Sequence, residues 1–253
     1  MKRLAHLLFS VSLGTTLLGA CASSPPVPVP PPTSVPPWTV IGVSVQGRPI
    51  EARTLGEGPY RIYLIGGIHG DEHEGGQWIG ELCERLGPDE LQGTTLRIVR
   101  DLNPDGTFAG TRGNARKIDL NRNWPASNFK PSPSRGPSPL SEPETRAVFN
   151  DLSPFLPDVV VVLHAARRGP FVNWDGPAEP LAKVFSEAAQ SADARWRPVA
   201  DMGYPTPGSI GSWIGKDSDY PVLTIEFERG GAPERARLAL FEGIDALLAT
   251  AAR

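Results

Sequence analysis

The side chains best equipped for chemistry crowd into one short stretch. From Tyr63 to Gly76 the chain reads YLIGGIHGDEHEGG, and His69 to Glu74 sets two histidines among three acids. Imidazole nitrogens and carboxylate oxygens are zinc ligands, and a catalytic zinc takes three of them and keeps one position open. The sequence has four histidines; His6 falls in an N-terminal segment read below as a cleaved signal, which leaves His69, His73 and His164. Three arrangements compete. In the first, His69 and Glu72 share a sharp turn permitted by Gly67 and Gly70, and His164 arrives from another strand end. In the second, HGDEH matches the inverted zincin pattern H-x-x-E-H, with both histidines on one helix face and Glu72 as the base. In the third, the stretch is a polar strand-to-helix loop with acids near the helix start. Gly66, Gly67, Gly70, Gly75 and Gly76 weigh against the second, since each glycine costs a helix about 1 kcal/mol relative to alanine.

These residues need elements to position them, and the hydrophobic pattern supplies candidates. WTVIGVSVQGRPIEARTLGEG alternates apolar and polar and predicts two antiparallel strands. YRIYLIGG, PDVVVVLH and PVLTIEFERGG predict strands, the last two continuous enough to be buried on both faces, and TTLRIVRDLNPDG predicts a strand running into a turn at NPDG. Helices are predicted at QWIGELCERLG, at SEPETRAVFNDL with Ser141 and Glu144 as a capping box, at AEPLAKVFSEAAQSA and from Pro233 to Ala252. Thr111–Gly136 has no period and reads as loop. The expected architecture is a three-layer α/β/α fold with a mixed, mostly parallel central sheet. Ligands in such folds bind beyond the carboxyl ends of the strands. Four polar features fall there: GGIHGDE, DLNPDG, LHAA and the Glu226 end of VLTIEFE.

A carboxylate inside an apolar strand is costly unless paired or used. Glu226 and Glu228 share one strand face by the period of two, so the pattern does not rank them. Either suits a general base whose pKa burial raises.

The set GGIHGDE, NPDG, GTRGNARKIDLNRNWP, PLSEPET, LH, WDGPAE, YPTPGSIGSW and TIEFE, in this order over about residues 60–230, resembles the zinc carboxypeptidase superfamily of the carboxypeptidase A type, and within it the murein peptide amidase branch. The resemblance implies one zinc ion per chain on His69, Glu72 and His164. It implies Glu226 as general base and acid, Glu228 in a supporting role, and Arg112 as the group that polarises the scissile carbonyl. Asn121 and Arg122 would hold the substrate's terminal carboxylate, and Tyr204 would close over it. The spacing from Tyr204 to Gly208-Ser209 is one residue shorter than in pancreatic-type enzymes. Ile210, directly after that pair, is a candidate for the specificity pocket. Arg167 and Arg168 read equally as extra carboxylate binders or as a solvated loop.

The N-terminus carries an address. Lys2 and Arg3, an apolar run from Leu4 to Leu18 and LAHLLFSVSLGTTLLGAC form a signal too short for a membrane span, ending in a lipobox-like LGAC. Cleavage before Cys21 and its lipidation are expected. Ser23 to Pro37, SSPPVPVPPPTSVPP, is a polyproline spacer reaching about 45–50 Å at roughly 3.1 Å per residue. The expected domains are a signal peptide over 1–20, a lipidated tether over 21–37 and a catalytic domain over 38–253. Ala22 after the cysteine resembles sorting to the outer membrane of a Gram-negative cell, facing the periplasm. The net charge of −3, about −5 once Lys2 and Arg3 are removed, gives no reason to expect a nucleic-acid partner. Cys83 alone would remain beside the lipidated Cys21, so no intramolecular disulfide is expected.

The resemblance implies hydrolysis of the γ-D-glutamyl–diaminopimelate bond of peptidoglycan stem peptides. A general periplasmic metallocarboxypeptidase and an N-acyl amino acid hydrolase of the desuccinylase or aspartoacylase type use similar elements. A tethered cell-wall-binding protein with an idle zinc site is the non-enzymatic alternative.

Overall fold

The computed structural model describes residues 35–251. Cys21 and the signal and spacer up to residue 34 lie outside the described residues. The strands are β1 (Thr39–Val43), β2 (Pro49–Leu55), β3 (Tyr60–Ile65), β4 (Thr94–Val99), β5 (Val159–Ala166), β6 (Phe171–Asp175), β7 (Pro198–Val199) and β8 (Val222–Glu228). The α-helices are α1 (Ile79–Arg85), α2 (Pro104–Ala109), α3 (Pro143–Phe155), α4 (Glu179–Ala189) and α5 (Pro233–Ala251). One mixed sheet runs β1-β2-β4-β3-β5-β8-β6-β7. The four strands β4, β3, β5 and β8 are mutually parallel; β2 and β6 flank them antiparallel, β1 pairs antiparallel with β2, and β7 pairs parallel with β6.

Alternation along each strand divides the core in two. Ile62 and Leu64 of β3, Val161 and Leu163 of β5, and Leu223 and Ile225 of β8 pack with α1, α4 and α5. Tyr63 and Ile65, Val160 and Val162, and Val222 face the other way, onto Val148 and Leu152 of α3 and onto Trp124 and Ile214. A sheet with an apolar layer on each side is the expected α/β/α sandwich. Burial on both faces is why these strands read as unbroken apolar runs. His164, Thr224 and Glu226 belong by period to the second face, where polar residues replace the core at the strand ends.

Two local expectations fail. Glu142, not Ser141, occupies the N-cap position of α3, its side chain makes no capping hydrogen bond, and Ser141 Oγ donates to Glu142 Oε1 instead (2.9 Å). Glu144 is turned inward, accepting from the Val45 backbone N–H and from Asn114 Nδ2, so tertiary partners replace the capping box. NPDG, read as a turn, forms the short helix α2, with Asn103 Oδ1 accepting from the Gly106 N–H (3.0 Å).

Candidate active site

The GGIHGDEHEGG stretch leaves β3 as a turn, not a helix, and a 3-10 turn at Gly76–Trp78 follows it. Gly67 takes φ +64°, a conformation L side chains rarely adopt. At Gly70 a Cβ would lie 2.0 Å from the Gly106 carbonyl carbon, so the turn can press on α2 only as glycine. The Asn103 N–H donates to the Gly67 carbonyl (3.0 Å), tying the turn to the segment after β4.

This turn brings His69 and Glu72 against the end of β5. His69, Glu72 and His164 are all buried, and one ligand atom from each lies within 4.8 Å of the others. His69 Nδ1 is 3.0 Å from Glu72 Oε1, and His164 Nδ1 is 2.8 Å from Glu72 Oε2. The Ala165 N–H also donates to Glu72 Oε2 (3.1 Å). His73 is exposed and absent from the cluster, so the inverted motif is not assembled.

Asp119 joins the cluster from the loop side, where the sequence reading had singled out only its neighbours. Its Oδ1 lies 3.0 Å from His69 Nε2 and also accepts from the Asn121 N–H. Arg112 spans both acids, donating from NH1 to Glu72 Oε1 and from Nε to Asp119 Oδ2, each at 3.0 Å. The available clue was position: Asp119 stands just before the 3-10 turn Leu120–Arg122, where an acid caps the turn.

Charge concentrates here. Burial alone would raise the Glu72 pKa, yet His164 and His69 outweigh it and hold the carboxyl far below the carboxylate range. Asp119 behaves alike: burial opposes ionisation, and His69 and Arg112 overcome it. Glu226 goes the other way, burial raising its pKa more than nearby His164 lowers it.

Around the cluster opens a cavity of about 340 Å³. Arg112, Asn121, Arg122, Tyr204 and Glu226 all line it with the triad. Asn121 Nδ2 sits 3.0 Å from His164 Nε2, and its Oδ1 accepts from the Ile210 N–H (3.1 Å). Arg122 donates to the Asn121 carbonyl (2.7 Å) and, among the described residues, forms no ion pair. Tyr204 is 53% exposed at the rim.

Residues 38–232 match the sequence profile of the zinc carboxypeptidase family.

The chain belongs to the zinc carboxypeptidase family.

Among curated relatives it is 30% identical over 199 residues to murein peptide amidase A of Escherichia coli K12, covering 70% of this chain and 75% of that one. The Vibrio campbellii murein peptide amidase A is 30% identical over 225 residues, 83% of this chain and 86% of that one. The crystal structure of a murein-tripeptide amidase from Escherichia coli O157 superposes with a TM-score of 0.68 at 27% identity, over 85% of this chain and 93% of that one. A crystal structure of thrombin-activatable fibrinolysis inhibitor shares the fold, with a TM-score of 0.71 at 17% identity, over 86% of this chain and 72% of that one. The expected family and fold are thus borne out, and the protein is a hydrolase of the peptidase and amidase type.

The residues of this zinc carboxypeptidase fit the metal its family uses. Two imidazoles and one carboxylate form a buried N,N,O donor set, and Asp119 behind His69 supplies the carboxylate–histidine contact that orients such ligands. Four other candidates resolve. Ile210 is 1% exposed in the core and outside the cavity wall, which the adjacent Gly211 forms instead. Arg167 and Arg168 are exposed and line no part of the cavity. Glu228 is paired away from the site, its carboxylate taking Arg195 NH1 and NH2 at 2.9 and 2.7 Å.

Proposed function

We propose that this enzyme hydrolyses the amide before a terminal residue with a free carboxylate, and that the bond is γ-D-glutamyl–diaminopimelate in peptidoglycan stem peptides. One observation carries the first part: a buried His69–Glu72–His164 triad and Arg122, which forms no ion pair among the described residues, open into the same polar cavity. The second part rests on the murein peptide amidases among its relatives.

His69, Glu72 and His164 would hold one zinc ion per chain, which would supply Lewis acidity toward the scissile carbonyl and lower the pKa of water. Glu226 accepts a proton from the attacking water at its carboxylate. The hydroxyl oxygen bonds to the carbonyl carbon, the carbon–nitrogen bond breaks, and Glu226 delivers the proton to the departing amine. Arg112, held in place by Glu72 and Asp119, stabilises the negative carbonyl oxygen. Arg122 presents a planar fork to the terminal carboxylate, with Asn121 beside it. Tyr204 covers the bound residue from the rim.

The sequence before residue 38 supports a place for this chemistry. Lipidation of Cys21 and a polyproline spacer would hold the enzyme on the outer membrane, facing the cell wall across the periplasm. Detergent-phase partitioning that Cys21→Ser abolishes is the expected result, and unchanged partitioning rejects the anchor.

Muropeptide mass spectrometry after incubation with zinc-loaded enzyme tests the bond. Release of free diaminopimelate from stem tripeptide is expected. Cleavage confined to C-terminal α-peptide bonds would reject the amidase assignment.

A further inference from the structure

The cavity continues past the reacting groups along the β6–β8 pair. In that antiparallel register Phe171 faces Glu226, Asn173 faces Thr224 and Asp175 faces Val222. The period of two puts Asn173, Asp175, Thr224 and Glu226 on one side, and all four line the cavity. Asp175 stands four residues beyond the level of Glu226, about 13 Å along the strand at roughly 3.4 Å per residue.

At that far end the wall carries a charge pair of an unusual kind. Lys216 Nζ is 3.3 Å from Asp175 Oδ1. The Asp175 side chain is only 14% exposed, yet among the described residues its carboxylate accepts no hydrogen bond and meets only this one distant ammonium. A shielded carboxylate ordinarily has several donors. Lys216, at 60% exposure, is free to present its other N–H groups to the cavity.

The backbone is shaped to keep this pair together. Lys216 ends a π-helical turn, Gly211–Lys216, that packs on β6. A Cβ on Gly211 would lie 2.1 Å from Asp175 Oδ2, and one on Gly215 would lie 2.3 Å from Asp175 Cβ. Only side-chain-free positions allow so close an approach. Ile210 lies in the core rather than in the wall, where Gly211, Asn173 and Thr224 line the cavity with Asp175 and Lys216.

We propose that Asp175 and Lys216 form a subsite for a zwitterionic side-chain terminus, an ammonium and a carboxylate on one carbon, as in a diamino dicarboxylic acid. Asp175 accepts from the distal ammonium, and Lys216 donates to the distal carboxylate. An apolar terminal residue would leave both charges unsatisfied. A lysine side chain would satisfy Asp175 and leave Lys216 without its anion. The inference deepens the function proposed above and rests on it for the identity of the terminal residue.

The test compares two γ-D-glutamyl substrates, one ending in meso-diaminopimelate and one in L-lysine, which lacks only the distal carboxylate. The native enzyme should prefer the first by about 100-fold or more in kcat/KM, the scale of a lost charge-assisted contact in a built site. Lys216→Met should lower kcat/KM on the diaminopimelate substrate by about 10- to 100-fold and leave the lysine substrate within about 2-fold. Asp175→Asn, isosteric, should lower both, since both carry the amine. Equal loss on both substrates in Lys216→Met, or no loss on either, overturns the subsite. The same two terminal residues after L-alanine in an α-peptide separate the subsite from the bond. If only the α-linked pair is cleaved, the amidase assignment fails, and the subsite stands only if that pair shows the same Lys216 dependence. Native preference for an apolar terminal residue such as leucine also overturns it.

Discussion

His164 and Glu226 stand directly opposite each other on the neighbouring parallel strands β5 and β8. Parallel pairing aligns strand ends, so a metal-ligating imidazole and a carboxylate far apart in sequence reach the same cavity. Glu226→Gln should therefore remove the proton carrier without removing the metal site. We expect kcat to fall by at least about 10³-fold, in the range of general acid–base catalysis, with zinc content unchanged. Loss of zinc alongside activity would mean that Glu226 shapes the metal site instead.

The same residue has a pH signature. Burial raises the Glu226 pKa above its ordinary 4.5, so the working carboxylate form is lost at higher pH than for a solvated glutamate. The acid limb of kcat/KM should lie above that value. For stability, a raised folded pKa means that the protonated group's contribution is fully present below about 4.5 and is lost as pH rises through the folded value. Metal-free Glu226→Gln should melt higher than metal-free wild type at pH 8, with the gap closing toward pH 4. A gap independent of pH would exclude titration of Glu226 as the cause.

His69→Ala, Glu72→Ala and His164→Ala should each abolish stoichiometric zinc by metal analysis. His73→Ala, at an exposed position outside the cluster, should keep one zinc per chain and near-native activity. Equal zinc loss in His73→Ala would restore the inverted motif.

Asp119→Asn should weaken zinc by about 10- to 100-fold, the usual effect of losing a carboxylate behind a metal-bound histidine. Burial works against the Asp119 charge, but His69 and Arg112 hold its pKa below the ordinary 3.8. Its contribution is thus present above that value and is lost only as pH falls through the lower folded one. Competition with a chelator at pH 7 measures the affinity, and native-like affinity would show that Asp119 does not orient His69.

Arg122→Gln should raise KM for free-carboxylate substrates by about 10- to 100-fold, with kcat less affected, because a planar cation without an ion pair among the described residues is removed. The discrimination against substrates with an amidated terminus should shrink in parallel. Unaltered discrimination would place the terminal carboxylate elsewhere.

Much of this protein was legible before folding. Unbroken apolar runs marked β5 and β8, alternation marked β1 and β2, and the ordered motifs indicated the family and the His69, Glu72 and His164 cluster. What misled was local chemistry that tertiary partners overrode: Ser141 and Glu144 satisfy a capping pattern, yet Val45 and Asn114 claim Glu144. Ile210 has the type and position of a pocket residue, but which way it points depends on how the Gly211–Lys216 turn sits against β6.

The sequence by itself determined the donor types, the strand-end positions and the glycines that let His69 and Glu72 turn sharply. Only the tertiary structure decided which groups meet. It separated Glu226 from Glu228, excluded Arg167 and Arg168, enlisted Asp119, and set Asp175 beside Lys216 across 41 positions. The reason is physical: residue type and period act over a few neighbours, whereas sheet register and close backbone approach join side chains whose separation in sequence carries no signal.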